Sequence, residues 1–218
     1  MQWRAILGGI LSVLTCAVWA DLAFAHGFAG KRFFPATLVT DDPFVADELS
    51  LPTVSHIKNP ASGDSPAFRE TDYTVEISKR IAPNFGLSAS ETLIHLEPQG
   101  DSTQTGFGNL ELGGKYQLFL STPHETLLSL GLNAEIGGTG RKMVGADSFT
   151  TFTPAVFYGK GFGDLPDVVA ALKPLALTGV LGVAIPTKAK SETVTSTGDV
   201  DVERHPNVLQ WSTCASTV

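Results

Sequence analysis

Eight side chains stand at alternating positions opposite runs of apolar residues: Glu76, Arg80, Asn109, Glu111, Lys115, Gln117, Asn133 and Glu135. Carboxylates, cations and amides gathered on one surface bind or pass polar solutes, and the sign of their charge sets a preference. The same groups can also pair with one another and become packing. Opposite signs fall within four positions of each other twice, Glu76 with Arg80 and Glu111 with Lys115. That spacing favours mutual pairing, as in a narrow lumen filled by side chains. A wide aqueous passage would separate acidic from basic rows.

Other chemistry is sparse. An amino-terminal histidine at His26 would bind copper(II) through its amine and ring nitrogens, ligands this ion favours, but no second histidine is placed to join it. His56, His95, His124 and His205 fall in different loops or strand ends, and no shared site is expected. Asp199, Asp201 and Glu203 offer oxygen ligands for calcium, yet their alternation strings them along a strand face rather than around a loop, which describes a solvated hairpin. Gly159-Lys160-Gly161-Phe162-Gly163 has neither phosphate-loop nor dinucleotide spacing. No Gly-x-Ser-x-Gly occurs, and a hydrolase would need a Ser–His pair with an orienting group. The sequence thus yields no catalytic residue, no cofactor and no metal site beyond the weak case at His26.

The polar rows must be held by strands. From Leu110, one set of positions reads Leu110, Leu112, Gly114, Tyr116, Leu118 and Leu120, and the interleaved set reads Asn109, Glu111, Gly113, Lys115, Gln117 and Phe119. After Ser121-Thr122-Pro123-His124, Leu128, Leu130, Leu132, Ala134 and Ile136 alternate with Ser129, Gly131, Asn133 and Glu135. Period two is the strand period; a helix would scatter these charges around its circumference. The same rhythm covers residues 71–81 (with Lys79 on the apolar side), 85–96, 149–160 and 173–186. Glu91 interrupts the apolar face of the second of these, which requires a bulge or the end of the apolar zone. Residues 48–58 read as an edge strand around Pro52, and residues 26–47 as an irregular plug or strap across the core. Pro166 and Asp167 start a helical turn or two over Val168–Leu172. Leu165–Ile185 is hydropathic enough to suggest a spanning helix, but Asp167, Lys173, Pro174 and the alternation of its Leu and Val residues make it a strand. Residues 187–206 form a polar connection with a hairpin tip at Ser196–Asp199.

A formal net charge of −7 excludes a nucleic-acid groove, which needs a basic patch. Arg4, the apolar run Ala5–Ala20 and the small-x-small site Ala23-Phe24-Ala25 form a signal peptide over residues 1–25, cleaved after Ala25. Residues 26–218 then make one domain, with Cys214 as its lone cysteine and no disulfide. About seven or eight strands of ten or more residues suit tilted crossings of a bilayer better than the shorter strands of soluble sheets. The expected fold is all-β: an antiparallel up-and-down transmembrane β-barrel. Its rival is a soluble periplasmic β-sandwich or lipocalin-like binding module, and a third form is a structural barrel with a plugged lumen.

The stretches Gly106–Phe119 (GFGNLELGGKYQLF), Phe152–Asp167 (FTPAVFYGKGFGDLPD) and Leu172–Pro186 (LKPLALTGVLGVAIP) resemble bacterial outer-membrane β-barrels of the family named for the MetA pathway of phenol degradation, whose members are labelled transporters. The resemblance runs from about His26 to Trp211. It implies an outer-membrane location, contact with lipid and with the barrel-insertion machinery, and a small-molecule cargo, hydrophobic or aromatic by the family label. It brings no catalytic residues and no nucleic-acid partner. One departure is plain: Asn207–Trp211 begins a terminal strand, and Ser212–Val218 is expected to abandon it, as in a truncated or frameshifted member.

Overall fold

The fold, a computed structural model, is described for residues 28–34, 42–61, 66–194 and 200–217. The expected signal peptide, His26, the expected hairpin tip at Ser196–Asp199 and Val218 lie outside the described residues. Strands in chain order are β1 Phe28–Ala29, β2 Arg32–Phe33, β3 Glu48–Leu49, β4 Thr53–Asn59, β5 Phe68–Ala82, β6 Phe85–Pro98 and β7 Gln104–Phe107. There follow β8 Leu110–Ser121, β9 Thr126–Ile136, β10 Thr151–Gly161, β11 Leu175–Pro186, β12 Lys190–Val194, β13 Val200–Arg204 and β14 Val208–Thr217. Two short 3-10 turns, Lys142–Val144 and Asp167–Leu172, are the helical elements among the described residues. Leu165–Ile185 is therefore a turn and a strand, as its alternation predicts.

Ten strands form one antiparallel sheet in the order β14-β11-β10-β9-β8-β6-β5-β3, with β4 also on β5 and β7 also on β6. The sheet curls into a half-barrel. Among the described residues its two outer edges, β14 on one side and β3 with β4 on the other, carry no further strand. β1–β2 and β12–β13 are separate hairpins.

Register turns the alternation into rows. On the convex face Phe85, Tyr116, Leu130, Val156, Leu181 and Trp211 stand side by side across six strands, and a second row runs Ile77, Ala89, Leu112, Ala134, Phe152 and Ile185. Most of these side chains are exposed, among them Leu112 at 44%, Leu130 at 43%, Leu181 at 46% and Trp211 at 73%, while Phe85, Ala89 and Ala134 are half-buried. On the concave face the rows are polar or small: Glu76-Ser90-Glu111-Glu135-Thr151, then Ser78-Ser88-Gly113-Asn133-Thr153. The buried apolar cluster is small, comprising Ala29, Phe34, Phe44, Leu127 and Ala176. A water-soluble chain of this length ordinarily hides most of its large apolar side chains. Here they stand outside, and the cross-strand ladder rather than a core holds the wall.

Three details of the sequence reading are corrected. The last strand does not stop at Trp211; β14 continues through Ser212–Thr217, pairing with β11 from Ala184↔Val208 to Leu175↔Thr217. Small and polar residues suffice there because Leu177 and Leu175 on β11 supply the apolar neighbours, opposite Ala215 and Thr217. Phe119 does not share a face with Gln117: a register shift between them sets Phe119 opposite Leu128 and Leu120 opposite Leu127. At Glu91, β6 keeps its pairing with β5, Val75↔Glu91 included. The irregularity lies in the other neighbour, where β8 gives way to β7 across Gly108 and Asn109.

Candidate functional site

The concave face encloses a cavity of about 510 Å³, in the range of small-molecule sites. Its walls come from β4, β5, β6, β8, β9 and β10, and one side is closed by residues 42–50. Four of the eight polar residues singled out in the sequence line it: Glu76, Glu111, Lys115 and Asn133. The other four are placed differently. Asn109 is buried at the far rim, where its Nδ2 donates to Glu135 Oε1 (2.9 Å) and to the Asp147 carbonyl (3.0 Å) while its Oδ1 accepts from Gly140 N. Glu135 is thereby taken up in fixing the β9–β10 loop. Arg80 stands exposed at the opposite rim, and Gln117 lies at the β8 bulge, its backbone N–H donating to the Asn84 carbonyl.

Lys115 donates to the Asp42 carbonyl oxygen (2.6 Å) and lies 4.5 Å above the Phe157 ring. Phe157 is buried, seated over Gly131 of the neighbouring strand, where a Cβ would come within 2.6 Å of the ring. Gly113 plays the same part for Ser88 and Asn133, whose side chains meet above it. Glu111 and Glu135 are register partners across β8 and β9, an arrangement of like charges that costs stability.

The segment that closes the cavity was legible in the sequence as a strap, without its contacts. Phe44 N donates to Asp42 Oδ1 (2.8 Å), an Asx turn set by Asp42-Pro43. Ser129 Oγ donates to the Pro43 carbonyl (2.5 Å). Asp47 accepts from Lys79 Nζ (2.7 Å) and from Arg80 N (2.6 Å); the Lys79 ammonium first, then the Arg80 N–H, hold its carboxyl below the ordinary range. Arg32 of the β1–β2 hairpin is buried against Glu125, Nε to Oε2 at 2.8 Å, and also donates to the Pro174 and Lys173 carbonyls. A lone Arg32 among aromatic residues gave no sign of this partner 93 positions away.

At the same rim His124 and Lys160 both hydrogen-bond Asp164, and together, His124 first, they hold its carboxyl low. The remaining histidines are dispersed in pairs with hydroxyls. His56 meets Thr71 (2.9 Å) and His95 meets Thr105 (2.7 Å) along one register row of β4–β7, an alignment the sequence did not suggest. Ser191 Oγ lies 2.8 Å from His205 Nε2, and the His205 ring packs against Phe149, tilted by 44° with centroids 4.3 Å apart. Asp201 and Glu203 occupy alternate positions of β13. Among the described residues no group of three or more His, Cys, Asp or Glu side chains is arranged to hold a metal ion. No family model, curated protein or solved structure matches this chain.

Proposed function

We propose that the chain is an outer-membrane β-barrel protein whose concave face binds or passes small molecules without cofactor or catalysis. The observation that carries this reading is the sidedness of one sheet: apolar rows exposed on the convex face, polar rows around a cavity on the concave face. Hydrocarbon is the solvent in which the convex rows cease to be a liability. Tyr73, Tyr116, Phe107 and Phe152, each more than 40% exposed, supply aromatic side chains of the kind found at bilayer interfaces. Asp42, Glu48, Glu76 and Glu111 line the cavity against Lys115, so neutral polar or cationic solutes suit it better than anions. The aromatic cargo suggested by the MetA-pathway resemblance rests on that likeness alone.

The test is fractionation of cells expressing the whole chain, followed by gel electrophoresis of heated and unheated samples. Recovery in the outer membrane with heat-dependent mobility is expected. Recovery as a soluble periplasmic protein of unchanged mobility refutes the reading and favours a lipocalin-like module.

A further inference from the structure

Among the described N-terminal residues no strand joins the main sheet before β3, yet Arg32, Phe34 and residues 42–47 make contacts spread across its concave face. Their anchors among the described residues lie toward the end of the sheet that carries the β5–β6, β8–β9 and β10–β11 turns, with Lys115 reaching in from the middle of β8. Arg32 is held by Glu125 and by the Lys173 and Pro174 carbonyls ahead of β11. Phe34, fully buried, covers Gly159 of β10. The Pro43 carbonyl is held by Ser129 of β9, and the Asp42 carbonyl by Lys115 of β8. Val45 sits over Gly86 of β6, where a Cβ would come within 2.9 Å of its Cγ1, and Asp47 ties to Lys79 and Arg80 of β5. The anchors thus visit β11, β10, β9, β8, β6 and β5 in spatial order.

We propose that Phe28–Phe34 together with residues 42–47 form a seated plug over this mouth of the cavity, with the Arg32–Glu125 pair as its latch. The proposal deepens the barrel reading and rests on it for what the plug controls. Two features make the plug separable from the wall. β1 and β2 pair only with each other among the described residues, so unseating breaks no ladder of the main sheet. Its attachments are hydrogen bonds, one buried ion pair and a small apolar contact made by Ala29, Phe34, Phe44 and Val45, with the Phe34 and Phe44 ring centroids 6.3 Å apart. A buried pair adds little net stability, but removing one partner strands the other charge. Glu125 is the residue that would be stranded: it is buried, and its Oε2 also accepts from Gly163 N (2.9 Å).

The experiment uses the full chain carrying Cys16→Ser and Cys214→Ser, with Val45→Cys as reporter. In detergent, the rate of maleimide labelling at position 45 measures seating whether or not the protein inserts into lipid. Arg32→Ala is expected to raise that rate about 100-fold, the effect of an unpaired buried carboxylate. Arg32→Met with Glu125→Met, which removes both charges, is expected to restore slow labelling and so separates unlatching from loss of fold. Unchanged labelling in Arg32→Ala, or fast labelling in the double variant, overturns the latch. A Val45→Cys, Gly86→Cys disulfide then tethers the plug, and conductance across planar bilayers reads its consequence. Arg32→Ala should conduct more than the parent when the tether is reduced and no more when it is oxidised. Equal conductance in both states overturns the plug. Failure of every variant to insert, with labelling as expected, refutes the membrane reading and leaves the latch standing.

Discussion

Placing a cation on the convex face asks directly which solvent that face meets. Leu132 lies near the middle of β9, points outward in register with Gly114 and Pro154, and is 51% exposed. In water, Leu132→Arg exchanges one exposed side chain for another, and the change in stability stays within about 0.5 kcal/mol. In a bilayer the same substitution sets a guanidinium near the midplane, at a cost of about 2–4 kcal/mol. At about 1.4 kcal/mol per factor of ten, the folded-to-unfolded ratio then falls by roughly 30- to 700-fold. Ile81, 59% exposed and next to the end of β5, provides the depth control. Arg there lies at the interface and costs about 0–1 kcal/mol. The assay is urea-dependent folding into phospholipid vesicles, followed by the fluorescence of Trp211, which shares the convex face with Leu181. Equal, small effects at the two positions would refute the assignment of this face to hydrocarbon, whatever the fractionation shows.

Two further outcomes follow from the site. Gly131→Ala drives a methyl to within 2.6 Å of the Phe157 ring, and the displaced ring leaves its position under Lys115; a loss of about 1–3 kcal/mol is expected, read as a lower urea midpoint. Gly114→Ala on the next strand, where the nearest atoms lie at 3.7 Å or beyond, should be silent. Because Asp47 is held below the ordinary carboxylate range by Lys79 and Arg80, its contribution is complete above about pH 4 and disappears as the pH falls through the lower folded value. Amide hydrogen exchange over residues 44–47 should therefore accelerate at strongly acidic pH, and Asp47→Asn should show fast exchange already at neutral pH.

What the sequence disclosed and what it withheld divide along a physical line. The faces of β5, β8, β9, β10 and β11 were readable because alternation is local: each residue's side follows from its neighbour's. Positions where the count changes were not readable. Nothing in Gln117-Leu118-Phe119 announces that Phe119 turns outward, since a bulge is decided by how β8 meets β9. The run Ser212–Thr217 carries no apolar rhythm, yet it completes β14 because β11 offers a partner along its whole length. Pairing within the polar set was inferred from spacing, Glu76 with Arg80 and Glu111 with Lys115. The contacts seen for this set have much longer sequence separation, Asn109 with Glu135 and Lys115 with the Asp42 carbonyl. Short spacing along a strand is a poor guide to partners when the nearest groups sit on adjacent strands.

The edges impose a condition on the barrel reading. Counting from β4 through β5, β6, β8, β9, β10 and β11 to β14, every pairing is antiparallel, so β4 and β14 run in opposite directions. Each presents unpaired backbone groups on its outer side among the described residues, and each such group in hydrocarbon costs several kcal/mol. Water tolerates such edges; a bilayer does not. The β14 edge also lacks Pro, Lys or any other charge to discourage pairing. Apolar rows on the convex face and an uncharged ten-residue edge therefore point the same way. If lipid covers the rows, β14 must find an antiparallel partner, and β4 has the required direction.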